Sequence, residues 1–179
     1  MHRAHKIKLQ PTKAQEQYFA RACGTARFAF NWALAEWQKE YEAGGKPSEA
    51  ALRKKLNSIK ATEFPWMAEV TKCAPQQAIK NVGTAFQNFF RRTKQGGKPG
   101  YPKFKRKGQH DSFRADNGPA DANSHAVECI GKTIKLPRCG AVKMREALRF
   151  AGRTLSATVS KQADGWYVTL LVDTADIMS

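Results

Sequence analysis

Phe89-Phe90-Arg91-Arg92-Thr93-Lys94-Gln95-Gly96-Gly97-Lys98-Pro99-Gly100-Tyr101-Pro102-Lys103-Phe104-Lys105-Arg106-Lys107 is the stretch at which the chain changes texture. Before it, apolar residues recur at helical spacing; after it, they alternate at the period of a strand. Its Gly-Gly, Pro-Gly and Tyr-Pro punctuation marks a shaped loop rather than a continuation of either. No acidic residue lies between Glu69 and Asp111, while ten Lys and Arg sit there beside four Phe and one Tyr. Such a segment repels itself, and its natural complement is a polyanion, because cations meet phosphates while rings accept stacked bases. A solvated basic loop is the competing reading.

The rest of the composition agrees with a nucleic-acid partner. The 179 residues are 41% apolar, enough for the core of one domain or two small ones. Lys and Arg number 31 against 15 Asp and Glu, a net charge of +16. Residues 64–114 hold 11 of the cations against two acids, whereas residues 115–179 hold eight against seven. An acidic membrane would demand an amphipathic basic anchor helix, and no such segment occurs, so no membrane partner is expected. Cys23, Cys73, Cys129 and Cys139 are widely spaced, without a Cys-x-x-Cys pair, and read as small buried residues rather than metal ligands. The N-terminus has no apolar signal region, and no run of about 18 apolar residues follows. A cytoplasmic protein without cofactor or metal is the expectation.

Upstream of the basic stretch, His5 to Gln10 alternate as a short strand stopped by Pro11. Thr12 and Gln15 have capping-box spacing, and Tyr18, Phe19, Ala22 and Cys23 follow at helical intervals until Gly24 interrupts. Helical spacing resumes through Ala26, Phe30, Ala33, Leu34, Trp37 and Tyr41 to Gly44-Gly45; the stripe reads as core rather than as a stacking platform. Ser48 caps a third helix with Leu52, Leu56 and Ile59 on its inner face. A Phe64-Pro65-Trp66 turn leads to a fourth, which runs to about Lys94 with Pro75 in its first turn. That helix carries Ala78, Ile79, Val82, Ala85, Phe86, Phe89 and Phe90 on one side. Gln76, Lys80, Gly83, Gln87, Arg91 and Lys94 line the other. Gln beside Lys and Arg can read base edges in a groove; a solvated face carries the same residues, and both readings stay open.

Downstream, short strand-like runs cover residues 112–115, 126–130, 133–136, 141–145, 154–160 and 166–172, with Asp164-Gly165 as a hairpin signal. The expected fold is α+β: a small β-barrel, wedge-like domain with an inserted four-helix recognition bundle. Its parts would be residues 1–11 as first strand, 12–95 as helical insert and 96–176 as the remainder of the barrel.

The order of these features resembles the N-terminal region of TnpB/OrfB-type transposon-encoded RNA-guided endonucleases, relatives of the type V CRISPR effectors. The residues that carry the likeness are Lys8-Leu9-Gln10-Pro11-Thr12, Ala26-Arg27-Phe28-Ala29-Phe30-Asn31-Trp32, Phe64-Pro65-Trp66, Gln76-Gln77-Ala78-Ile79-Lys80-Asn81, Ala85-Phe86-Gln87-Asn88-Phe89-Phe90, Gly100-Tyr101-Pro102-Lys103-Phe104-Lys105, Ile134-Lys135-Leu136-Pro137 and Gly165-Trp166-Tyr167-Val168. The resemblance implies a wedge barrel and helical recognition domain that hold a guide RNA and read a short motif in target DNA. Lys72 and Gln76 match the motif-reading segment, with Asn117 in its neighbourhood. The region is also described as helix-turn-helix and transposase, a label that helical pairs can carry without the usual major-groove geometry.

The family's nuclease is RuvC-like and begins downstream with a catalytic Asp in a Gly-rich strand. Two-metal hydrolysis needs convergent carboxylates, and Asp173 and Asp176 read as linker residues. His2, His5, His110 and His125 read as ordinary surface histidines. The expectation is therefore a truncated TnpB-like transposase that lacks the nuclease domain and is not itself an enzyme. Its partners would be DNA, a guide RNA, and a full-length nuclease relative or the missing nuclease domain; a stand-alone DNA-binding transcriptional regulator is the alternative. The expected nucleic-acid contacts are Lys72, Gln76, Lys80, Arg91, Arg92 and Lys94 on the fourth helix, Lys103, Lys105, Arg106 and Lys107 in the basic loop, and Arg114 and Asn117 beyond it.

Overall fold

A computed structural model of the chain describes residues 1–98, 100–118 and 126–174. These divide into two compact units, residues 1–23 with 110–179 and residues 24–109. The architecture is α+β: three α-helices and one seven-stranded antiparallel sheet.

The first unit is built on the sheet. Its strands are β1 (His2–Gln10), β2 (Ser112–Asp116), β3 (Glu128–Ile130), β4 (Thr133–Leu136), β5 (Gly140–Met144), β6 (Arg153–Gln162) and β7 (Gly165–Asp173), in the order β2-β6-β7-β1-β5-β4-β3. β1 is central. Its residues 2–8 pair with β7, and its last two, Leu9 and Gln10, pair with Met144 and Lys143 of β5. The alternation read in the sequence fixes this placement, because His5, Ile7 and Leu9 are buried while Lys6 and Gln10 are exposed. β6 and β7 form a hairpin with Gln162 opposite Gly165, so the two-residue turn is Ala163-Asp164. Phe113, Val159, Trp166 and Val168 are buried, and Phe19 is fully enclosed with its ring 5.2 Å from Trp166 and 6.0 Å from Phe113, which Tyr18 also meets edge to face.

The expected barrel does not form, because the sheet is not closed. Among the described residues β2 and β3 are its two edges, and β3, only three residues long, pairs with β4 alone. A single carboxamide links the segments flanking those edges. Asn117 Nδ2 donates to the carbonyls of Val127 and Thr154, both at 2.9 Å, and Asn117 Oδ1 accepts from Val127 N–H at 2.7 Å. His5 also departs from expectation. It is 3% exposed, its Nδ1 accepts from Arg149 N–H at 3.1 Å, and its Nε2 faces Glu146 Oε1 at 3.4 Å. His125 and Asp176 lie outside the described residues.

The expected four helices are three. α1 (Lys13–Glu42) runs unbroken through Gly24. A glycine inside a helix costs about 1 kcal/mol, and the burial of Cys23, Thr25 and Ala26 on either side outweighs it. The capping box at its start is formed: Gln15 N–H donates to Thr12 Oγ1 at 3.2 Å, and Thr12 N–H donates to Gln15 Oε1 at 2.9 Å.

The second unit holds the rest of α1, α2 (Glu49–Glu63), a 3-10 turn at Pro65–Glu69, α3 (Cys73–Lys94) and the basic loop. Ser48 Oγ accepts from Ala51 N–H at 3.2 Å and caps α2. Ala26, Ala29, Phe30, Ala33 and Leu34 of α1 are buried, as are Leu52 and Leu56 of α2 and Ala78, Ile79, Val82 and Phe86 of α3. The stripe on α1 is therefore core, with Trp37 stacked on Phe86 at 4.6 Å. Lys55 donates to Glu36 at 2.6 Å, tying α2 to α1. That hydrogen bond is the main reason the Glu36 carboxyl titrates below its ordinary value of 4.5, against the opposing effect of burial.

Candidate nucleic-acid interface

The basic loop is anchored at two places in the second unit. Near its end, Asn31 of α1 treats the Lys105 backbone as a strand partner: Asn31 Nδ2 donates to Lys105 O at 3.0 Å, and Lys105 N–H donates to Asn31 Oδ1 at 2.7 Å. Nearer its start, the Tyr101 ring meets Phe86 and Phe89 edge to face, at 5.6 and 5.3 Å. The loop is thus shaped by named contacts, and Lys103, Arg106 and Lys107 emerge exposed from it. Lys105 is exposed as well, but its surroundings differ. Its ammonium lies over the Phe30 ring, 4.5 Å from the centroid, and desolvation there pulls its pKa below the usual lysine value. Pro99 lies outside the described residues.

α3 carries the second group. Lys72 is the N-cap residue, Gln76 is half-buried in the first turns, and Lys80, Arg91, Arg92 and Lys94 are exposed. Arg91, Arg92 and Lys94 stand in the last turn, where the helix dipole favours cations. The outward stripe expected along α3 is interrupted in the middle. Gly83 is buried under α2, where a Cβ would come within 3.1 Å of Glu49 Cβ and Cγ. A side chain here would require Glu49 to give way by a few tenths of an ångström. Phe90, expected on the apolar side, is instead 46% exposed.

Among the described residues, none of the ten cations between Glu69 and Asp111 pairs with a carboxylate. Two carboxylates of this unit are paired elsewhere, Glu49 with Arg53 and Glu36 with Lys55 and Lys39.

Arg114 and Asn117 belong to the first unit. Arg114 is half-buried on β2, with a buried Nε that has no hydrogen-bond partner. Asn117 is 8% exposed and both its donor hydrogens are spent on backbone carbonyls. It fastens the sheet rather than presenting a free side chain to a ligand. Asn31, which holds the loop, carries no local signal of that role, since its partner lies 74 residues away.

The four cysteines are free thiols. Burial pushes Cys129 and Cys139 up to about 11, with Glu128 adding to the effect at Cys129, so neither is a ready thiolate at neutral pH. Among the described residues no group of three His, Cys, Asp or Glu is placed to hold a metal ion, and no helix is long and apolar enough to cross a membrane.

Comparison with known proteins decides the family. An OrfB-type helix-turn-helix domain matches residues 1–46. "Putative RNA-guided DNA endonuclease InsQ" of Escherichia coli is 31% identical over 93% of this chain and 39% of its own length. Over most of its length the chain is homologous to TnpB-type putative RNA-guided DNA endonucleases. A "Putative RNA-guided DNA endonuclease" of Mycobacterium tuberculosis is 29% identical over 86% of this chain and 36% of its own length. "Virulence protein VsdF" of Salmonella dublin is 30% identical over 60% of this chain and 95% of its own length. The chain thus spans about two fifths of the endonuclease relatives it matches.

These relatives correct the expectation of a non-enzyme. Proteins named as endonucleases align with 86% to 93% of the chain, which places it in an endonuclease-related enzyme family. The expectation rests on a missing nuclease domain and on Asp173 and Asp176 as linker residues, yet Asp173 closes the strand β7. The matched helix-turn-helix domain and these relatives support a transposon-associated nucleic-acid-binding protein. The residues matched as helix-turn-helix fold here as β1 and the single long helix α1, not as two short helices about a tight turn.

Proposed function

We propose that this chain is the part of an RNA-guided DNA endonuclease that holds a guide RNA and the target DNA. The observation that supports this most directly is the set of ten carboxylate-free cations interleaved with Phe86, Phe89, Phe90, Tyr101 and Phe104 within one compact unit. Lys103, Arg106 and Lys107, carried on a loop braced by Asn31 and Tyr101, serve as phosphate contacts. Lys72, Gln76 and Lys80 on the N-terminal half of α3 contact target DNA, and Arg91, Arg92 and Lys94 on its C-terminal half contact the backbone of the RNA. Arg114, half-buried on β2 of the first unit, supplies a further cation for the backbone.

The test is purification of the full chain with its native flanking transposon DNA supplied for transcription. A discrete co-purifying RNA, with duplex footprinting that depends on that RNA, supports the reading. A footprint on duplex DNA formed equally well after ribonuclease treatment contradicts the guide-RNA half of it.

A further inference from the structure

The C-terminal end of α3 carries a groove of about 500 Å³ lined by Gln87, Phe90, Arg91, Lys94 and Gln95. Its size lies within the roughly 300–1,000 Å³ typical of ligand sites. The lining residues stand at intervals of three, one, three and one, so one helix face presents them together. An exposed Phe alone signifies little. This one continues the stripe of Val82 and Phe86 by one turn, yet no neighbouring element covers it. From behind it is braced: Phe86 lies 6.3 Å away at an interplanar angle of 30°, and Phe89 lies 5.4 Å away at 66°. Tyr101 supports both of those rings in turn. Phe90 is therefore a fixed platform rather than a mobile side chain, and ordering it on binding costs little.

We propose that this groove takes one unpaired nucleotide of single-stranded RNA, its base stacked on Phe90. The proposal deepens the function proposed above and rests on it. Bases inside a duplex already have both faces covered, so an exposed ring discriminates in favour of an unpaired one. Arg91 and Lys94, one and four residues beyond Phe90, supply positive charge for the flanking phosphates, and neither has a carboxylate partner among the described residues. Arg91 keeps most of its donors free, with Nη2 lightly tethered to Asn88 Oδ1 at 3.2 Å. The carboxamides of Gln87 and Gln95 both donate and accept, which matches a ribose 2′-hydroxyl and favours RNA over DNA.

The experiment measures binding of the full chain to a uridine 12-mer, the same 12-mer paired with its adenosine complement, and a thymidine DNA 12-mer. Phe90→Ala is expected to weaken binding of the single-stranded RNA about tenfold or more and leave the duplex within about twofold. Phe90→Trp is expected to retain single-strand affinity, with indole fluorescence quenched on binding. Circular dichroism confirms that both variants fold. Unchanged single-strand affinity in Phe90→Ala, equal losses on single strand and duplex, or no quenching in Phe90→Trp overturns the proposal. DNA binding as tight as RNA binding overturns its choice of RNA. Failure of the unaltered chain to bind all three would refute the broader function instead.

Discussion

Asn117→Ala separates a structural from a recognition role most sharply, because the sequence offers this residue as a ligand contact and the fold uses it as a clasp. The substitution removes three hydrogen bonds and orphans the Val127 N–H, the Val127 carbonyl and the Thr154 carbonyl. A typical buried hydrogen bond contributes roughly 1 kcal/mol net, and a stranded buried partner costs about 1–3 kcal/mol. Water reaching the opened edge relieves part of this, so the expected loss is about 2–4 kcal/mol. Urea denaturation followed by far-UV circular dichroism measures it. Hydrogen exchange at the Val127 amide, which donates to Asn117 in the folded chain, accelerates in the same variant. Polynucleotide affinity, measured below the unfolding transition, stays within about twofold. A variant that keeps its stability but loses affinity would show that the carboxamide faces a ligand and would refute the clasp.

Three further perturbations bear on other joints. Gly152→Ala forces a side chain onto a residue with φ +147°, where its Cβ would meet the Asp173 carbonyl oxygen, and stability measured by denaturation falls by roughly 2–4 kcal/mol. Asn31→Ala frees the loop from α1, so trypsin cuts after Lys103 to Lys107 faster while global stability changes by only about 1–2 kcal/mol; an unchanged cleavage rate would deny the anchor. Because the Glu36 carboxyl is held below 4.5, its bond to Lys55 contributes above that pH and is lost as pH falls through the lowered value. Lys55→Met therefore flattens the acid limb of the stability profile by less than about 1 kcal/mol, and an unaltered acid limb would speak against the pair.

What could be read from the residues was what local chemistry decides. The alternation of His5 to Leu9, the caps at Thr12 and Ser48 and a hairpin near Asp164-Gly165 are each settled within a few residues and present, the hairpin turn falling one residue earlier, at Ala163-Asp164. What misled was decided at a distance. Gly24 looks like a break, yet burial on both sides of it keeps α1 whole. Strand count suggests a closed barrel, but closure depends on pairing between the edges, and among the described residues β2 and β3 do not pair with each other. Gly83 sits in a polar stripe by periodicity and is buried because α2 crosses it. The Lys105 ammonium resembles its neighbours in sequence and differs only because Phe30 lies beneath it. The cationic character of the stretch was legible from composition; which of its side chains remain free depended on the fold.

The salt dependence of polynucleotide binding tests the central claim most directly. Affinity of the full chain for duplex and single-stranded probes is measured across potassium chloride concentrations, beside a variant with Lys103, Arg106 and Lys107 replaced by Ala. Each phosphate neutralised contributes about −0.9 to the log–log slope on duplex and about −0.7 on single strands. The account predicts a steep slope that becomes shallower by about 2–3 in the variant, with affinity reduced alike on all sequences. A flat dependence, or a slope unchanged by loss of the three cations, would contradict it.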